Sequence, residues 1–497
     1  MANLDHSKNK LYIGKNDKLQ VWKDDGQNEN QIIQKIRLLL KNYLELDNVS
    51  FLFGTGTSIH LGAVSIRNFP VEIEEHVKKR EQNEGFDGIY LELSNTVKGL
   101  QAEKLEYGKK HLSAPASNTF KDERGWDFYI DEDLIRDSTT KEIFVEFESI
   151  MNFLIASNYL QEQNKSITKN EKSALLLQVL KEGLFSVCNI DGRTLSDQEE
   201  EKINNRRGLE TVQAIKRNKY HYHERFIKAL LQRPLNLRRA NIFTSNYDLA
   251  FEYAFDKLGV FYIDGFAGFH KRYFKPETFD YDIFYPGSTT AGKVQRIEKV
   301  VRYFKLHGSI SWINSEKRGA NNLYGIEEKP LDLIDKLNKK GDIIIYPSAV
   351  KKSYTLDIPY SELFRQFATT INQSQSVLIT IGYSFGDEHF NDIIYQALAN
   401  PTFTLIVVDL GGTKSSYIKE LMELDDPRVI IFEGEFLGDF LTFADTLMPD
   451  FNNIENDIRI ANTLNALFNS PLADEKKEVF DQELPIIDPE VTGGEKS

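Results

Sequence analysis

A chain of 497 residues that is 41% hydrophobic and 12% aromatic can bury substantial cores and hold more than one domain. Its net charge of −14 offers no global positive field to a phosphate backbone, so direct nucleic-acid binding is not expected. A single cysteine, Cys188, excludes an internal disulfide framework and a cysteine-rich zinc module, and no run of about 18 apolar residues marks a membrane span. With no apolar leader over its first residues, the expected location is cytoplasmic.

Residues 1–28 are polar and weakly periodic, an N-terminal extension in which 12–22 reads as a short strand or hairpin. Over 31–46, Ile32, Ile36, Leu39, Leu40 and Tyr43 recur at helical spacing and predict an amphipathic helix. It leads into an apolar run at 49–53, a buried strand that breaks into Gly54, Gly56, Thr57 and Ser58. Glycines there let backbone N–H groups approach a pyrophosphate, and Thr57 or Ser58 can cap the following helix or donate to the same oxygens. An ordinary strand-to-helix turn would look the same.

From 71 to 235 the strand signals stop and helical patterns take over, clearest at 144–160, 172–187 and 209–231, with loops at 164–171 and 191–197. This is a large all-helical insertion. Cys188 ends one of its apolar patterns and reads as a packed core thiol, while the basic pairs Arg206, Arg207 and Lys351, Lys352 read as solvated faces.

Strands return at 241–245, 261–263, 301–306, 342–346, 377–381, 405–408 and 429–432, alternating with helices at 359–372, 387–399, 415–424 and 437–448. The alternation predicts an α/β fold, a Rossmann-like, mainly parallel sheet with helices on both faces. The expected organisation is a nucleotide-binding domain from 29–70 and 236–455, the insertion at 71–235, and a C-terminal helix at 458–468 followed by a flexible acidic tail.

Polar residues at the carboxyl ends of strands are the candidates for chemistry, because open α/β sheets bind ligands there. His307 ends 301–306 and precedes Gly308; its imidazole is either a base near neutral pH or a core histidine bonded to backbone. Asn246 can hold a ribose hydroxyl or a water through donor and acceptor, or cap the next helix, and Asp248 has the same capping chemistry. Asp409 suits the two hydroxyls of an adenosine ribose. His221 and His223 diverge on a helix with no further ligands beside them, so no metal site is expected.

Taken in order, these stretches resemble the sirtuin family. Gly54, Gly56 and Ser58, with Gly62 and Arg67 following, are similar to the signature Gly-Ala-Gly-x-Ser and Gly-Ile-Pro-Asp-Phe-Arg, with Ser65 at the aspartate position. Thr244, Asn246 and Asp248 resemble Thr-Gln-Asn-Ile-Asp, His307 and Gly308 resemble His-Gly, and Gly382 and Ser384 resemble Gly-Thr-Ser. The resemblance implies NAD contacts at Gly54, Gly56, Thr57, Ser58, Arg67, Asp248, Gly382 and Ser384. It also implies that His307 deprotonates a ribose hydroxyl and that Asn246 orients the nicotinamide ribose and a water.

The zinc module and the peptide-pairing strand of deacylating sirtuins have no counterpart, and the pattern is similar to bacterial sirtuin-like effectors of anti-phage defence. That resemblance implies a glycohydrolase taking NAD as substrate, without zinc, controlled as a homo-oligomer or by a partner such as a HerA-type ATPase. A deacylase, an ADP-ribosyltransferase, or a module sensing NAD or ADP-ribose without turnover are the alternatives.

Overall fold

The computed structural model describes residues 4–64, 69–110, 145, 147–163, 170–285, 296–315, 319, 322–337, 339–340, 359–449 and 451. The chain divides into two units, Met1–Pro449 and Asp450–Ser497. The first unit holds the strands Asn9–Ile13 (β1), Asn16–Asp17 (β2), Asn48–Phe53 (β3), Asn241–Thr244 (β4), Phe261–Ile263 (β5), Phe266–Ala267 (β6) and Arg272–Phe274 (β7). Val300–Lys305 (β8), Trp312–Asn314 (β9), Ile326–Glu328 (β10), Ser376–Ile381 (β11), Thr404–Asp409 (β12) and Val429–Gly434 (β13) complete the set.

One sheet runs β2-β1-β13-β12-β11-β3-β4-β8-β5. From β13 to β5 every pairing is parallel, and β1 closes the far side antiparallel to β13. Every residue of β3, β4 and β11 is buried, which is why these strands are largely apolar, with only a few small polar residues, rather than alternating. The chain steps outward from β3 to β4 and β8, then returns to lay β11, β12 and β13 on the other side. That is doubly wound order, with its switch point between β3 and β11.

Register then places the site. Phe53 lies opposite both Thr244 and Ile381, Thr244 opposite Lys305, and Ile381 opposite Val408. The turns that begin at Gly54, Ser245, Leu306, Gly382 and Asp409 therefore leave the sheet along one edge.

The helices are Lys18–Asp24 (α1), Glu29–Leu44 (α2), Phe69–Glu81 (α3), Ile89–Lys110 (α4), Phe147–Gln163 (α5), Glu171–Cys188 (α6) and Asp197–Arg207 (α7). Leu209–Arg217 (α8), His221–Leu230 (α9), Ala250–Leu258 (α10), Leu331–Leu337 (α11), Tyr360–Ile371 (α12), Glu388–Leu398 (α13) and Ser416–Glu423 (α14) come after them, and the helix expected at 437–448 is a short α-helix, Phe440–Thr442 (α15), running into a π-helix, Phe443–Leu447. Successive strand residues point to opposite faces, and both faces of β3 are covered. Phe51 meets Phe226 of α9 and Phe53 meets Phe251 of α10 at ring separations of 5.0 and 4.7 Å. Leu52 points the other way, into a core with Phe243, Phe304, Phe367 of α12 and Phe390 of α13. Helices α3 to α6 share a further core that takes in Tyr247 and Ile310 from the sheet-end turns and Ile313 from β9.

Several expectations are corrected. The turn after β3 does not enter a helix: it forms two 3₁₀ turns, Thr55–Thr57 and Ile59–Leu61, and then Gly62 at φ 88°. The pattern at 209–231 is two helices, α8 and α9, broken at Asn218–Tyr220, and Asp197 starts α7. Residues 9–17 add β1 and β2 to the main sheet, and 18–24 are helical. A small antiparallel sheet, β6-β7-β10-β9, lies between 266 and 328 and carries no sequence signal of its own. The strand expected at 342–346, the helix at 458–468 and the loop at 164–169 lie outside the described residues, as do Ser65, Arg67, Lys351 and Lys352.

Candidate functional site

At the switch point, two turns meet backbone to backbone. A Cβ on Gly54 would stand 2.5 Å from the Gly382 carbonyl oxygen, and one on Gly56 would stand 2.7 Å from the Gly382 Cα. Gly382 itself takes φ 59°, where a side chain is disfavoured. The Gly54 amide donates to Ile381, Gly56 to Gly382, Thr57 to Gly54 and Ser58 to Thr55. These four N–H groups are thus engaged within the protein, and the glycines serve the close contact between turns.

Asn246 sits in the next turn, on the first residues after β4. Its Nδ2 donates to the Gly54 carbonyl at 3.1 Å, to Ser58 Oγ at 3.3 Å and to Thr57 Oγ1 at 3.4 Å. The Gly54 carbonyl can only accept, which fixes the amide's orientation. Its Oδ1 is then buried without a partner inside the protein, an acceptor in want of a donor. Thr57 and Ser58 face inward: Thr57 Oγ1 donates to the Gly54 carbonyl at 2.8 Å and the Ser58 hydroxyl bonds Asp248.

Asp248 is buried and accepts the Ala250 amide at 3.0 Å, at the head of α10. Burial pushes its carboxyl up, opposed by the Lys305 ammonium, the Ala250 N–H and Ser58. Lys305, the last residue of β8, donates to the carbonyls of Tyr247 and Asp248 and to Glu252 Oε1 at 2.9 Å. One ammonium thereby ties β8 to the turn that carries Asn246.

His307 comes two residues later, buried, with Gly308 at φ 85° opening the turn. Its Nε2 lies 2.9 Å from Asp387 Oδ2. Asp387 was not among the expected site residues; its only sequence signal is that of a helix cap, and it is indeed the cap of α13, accepting the His389 amide on Oδ1 at 3.1 Å. Ser384, in the same loop, is exposed. Asp409 turns back on its own loop, accepting the Gly411 and Gly412 amides on Oδ1 at 2.8 and 2.6 Å. Burial raises its carboxyl, with those amides opposing. Arg67 lies outside the described residues.

His221 and His223 do not converge: His223 is fully buried and stacks on His60 at 5.5 Å, and burial pulls its imidazole down to about 3. Among the described residues no group of three or more histidine, cysteine or acidic side chains is placed to hold a metal. Cys188 is a buried free thiol, pushed up by burial.

Doubly wound order, with Asn246 and His307 in the turns that follow two adjacent strands, makes this an α/β, Rossmann-like fold. Residues 240–408, roughly a third of the chain, match the family described as SIR2-like domain. No curated protein matches the chain. A SIR2-like domain fits NAD-dependent chemistry. The match begins at β4 and ends within β12, so it takes in Asn246, Asp248, His307, Gly382, Ser384 and Asp387 and leaves out the Gly54 turn.

Proposed function

We propose that the protein is an NAD glycohydrolase, cleaving NAD to nicotinamide and ADP-ribose. The observation that carries the proposal is the Asn246 amide, clamped through Nδ2 with Oδ1 buried and unpartnered, in the turn after β4, the strand next to the one that delivers His307. Breaking the bond between the nicotinamide nitrogen and the ribose returns an electron pair to the pyridinium, which leaves neutral and needs no general acid. Positive charge develops on the sugar, and a water oxygen forms the new bond to the same carbon and loses a proton. Asn246 Oδ1 accepts from that water or from a ribose hydroxyl, orienting it, and His307 takes the proton. On this reading NAD lies over the Gly54 and Gly382 turns, and Asp409, at the end of β12, takes the adenosine ribose.

The resemblance to defence effectors supports a regulated anti-phage role for this activity, with control through a homo-oligomer or a partner such as a HerA-type ATPase. Purified protein is incubated with NAD, alone and with candidate partners, beside Asn246→Ala and His307→Ala, and nicotinamide and ADP-ribose are followed by chromatography. Release of both products, lost in either variant, is the expected result. NAD binding without turnover under every condition would sink the proposal in favour of a sensing module. Consumption that depends on an added acylated peptide or acceptor protein would replace it with transfer chemistry.

A further inference from the structure

The His307 imidazole lies in a slot between aromatic rings, with Tyr247 at 6.2 Å and Phe390 at 5.1 Å, tilted by 31° and 34°. The slot confines the ring plane but does not choose which nitrogen carries the proton. Nε2 of the ring meets the Asp387 carboxylate at 2.9 Å, and the Asp387 side chain is 6% exposed. The carboxylate is held from both ends: Oδ1 caps α13, and the loop before it is pinned where Asn391 Nδ2 donates to the Phe385 carbonyl at 2.9 Å. Phe385 takes φ 54°, a conformation a side chain adopts only when its surroundings impose it.

We infer that Asp387 is a positioning residue acting through His307, an inference that rests on the NAD-cleavage reading of the site. A carboxylate only accepts, so Nε2 carries the proton and Nδ1 carries the basic lone pair. When the proton released by water or by a ribose hydroxyl arrives at Nδ1, the ring becomes an imidazolium. The Asp387 charge stabilises that cation without itself taking up the proton, which later leaves to solvent. The capping function and the positioning function use different oxygens of the same carboxylate, and this makes them separable.

Asp387→Asn separates them, because asparagine caps a helix about as well as aspartate but carries no charge and can present either a donor or an acceptor to the imidazole. The expected result is an unchanged thermal unfolding midpoint, a fall in kcat of about 10²-fold and a KM within about threefold of the parent. The double variant with His307→Ala is expected to be no slower than His307→Ala alone. A parent-like or raised kcat in Asp387→Asn overturns the inference, since a cap alone, or a carboxylate that merely parks the ring, would give that result.

A second measurement does not depend on turnover. Nitrogen-15 NMR of histidine-labelled protein, with the His307 signals identified by their loss in His307→Ala, is expected to show the Nε2–H tautomer in the parent and a mixture in Asp387→Asn. An Nδ1–H tautomer in the parent, or an unaltered tautomer in the variant, overturns the inference whatever the activity. If the tautomer behaves as expected while no form releases nicotinamide, the NAD-cleavage reading fails and the positioning contact stands.

Discussion

Lys305→Met removes the cation that joins β8 to the Asn246 turn, and its cost comes from the groups it leaves behind. Lys305 is 3% exposed, and its ammonium spends its donors on two backbone carbonyls and on Glu252, whose side chain is 10% exposed. Breaking a buried pair by deleting one partner costs about 3–5 kcal/mol, because the surviving charge is left unpaired. Burial already raises the Glu252 carboxyl and Lys305 is the main force opposing it. Without the lysine the folded variant therefore favours protonated Glu252, and its deficit grows as pH rises above the ordinary glutamate range. Urea denaturation followed by circular dichroism is expected to show a loss of about 3–5 kcal/mol at pH 7 and a smaller one at pH 5. Adding Glu252→Gln to Lys305→Met removes the orphaned charge and is expected to recover about 2 kcal/mol. A single-variant cost below about 1 kcal/mol, or no recovery in the double variant, would refute the reasoning that Lys305 is the counter-charge holding this turn.

Gly382→Ala places a Cβ 2.8 Å from the Gly56 Cα at φ 59°, and left-handed strain plus overpacking is expected to cost roughly 2–5 kcal/mol. A urea midpoint indistinguishable from the parent would show that the two turns are free to separate. Glu328 is pushed up to about 8 by burial and by Asp264, against Arg272. Relative to its ordinary 4.5, the shift is worth about 5 kcal/mol at most, and residual exposure reduces it to roughly half. Because its folded value is the higher one, the parent loses stability as pH rises from about 4.5 to about 8. Glu328→Gln, which mimics the protonated acid, is expected to match the parent near pH 4.5 and exceed it by about 2 kcal/mol at pH 9. Equal curves for the two proteins would remove the buried-acid assignment. Asp409 and Glu433 sit opposite each other at the ends of β12 and β13, where a 2′-phosphate would meet two acidic groups. NAD is expected to be used at least about tenfold better than NADP, with Asp409→Asn narrowing the ratio; equal use of the two in competition assays would place the adenosine ribose elsewhere.

The sheet was legible because parallel strands buried on both faces are short, continuous apolar runs bounded by polar turns. The strands expected at 377–381, 405–408 and 429–432 appear as β11, β12 and β13, and the helices expected at 359–372 and 387–399 appear as α12 and α13. The elements missed have physical reasons. Strands β6, β7, β9 and β10 span two or three residues each, too few for a period of two to show. The break at Asn218–Tyr220 was hidden because apolar spacing continues on both sides of it, through Ile215 and into Tyr222 and Phe226. Asp387 was hidden for another reason: a carboxylate before a helix already has an explanation as a cap, and only the fold shows its second oxygen against His307.

The stretch that most resembled a phosphate-binding motif shows where such reading stops. Gly54 and Gly56 are required, but by the Gly382 backbone that approaches them, and their amides are already bonded to carbonyls. Thr57 and Ser58 are required as well, and their hydroxyls hold Asn246 and Asp248. A glycine-and-hydroxyl signature therefore records contacts that one strand-end turn makes with its neighbours, and residues far apart in sequence supply them. The register of Ser50 opposite Asn241 closes a gap filled by the long helical segment, and β11 brings Gly382 to the other side. The candidate groups for chemistry are few: the buried amide oxygen of Asn246, whose amide is fixed by the carbonyl and hydroxyls of the Gly54 turn, and the buried imidazole of His307, met by a carboxylate whose own signal in the sequence is that of a helix cap.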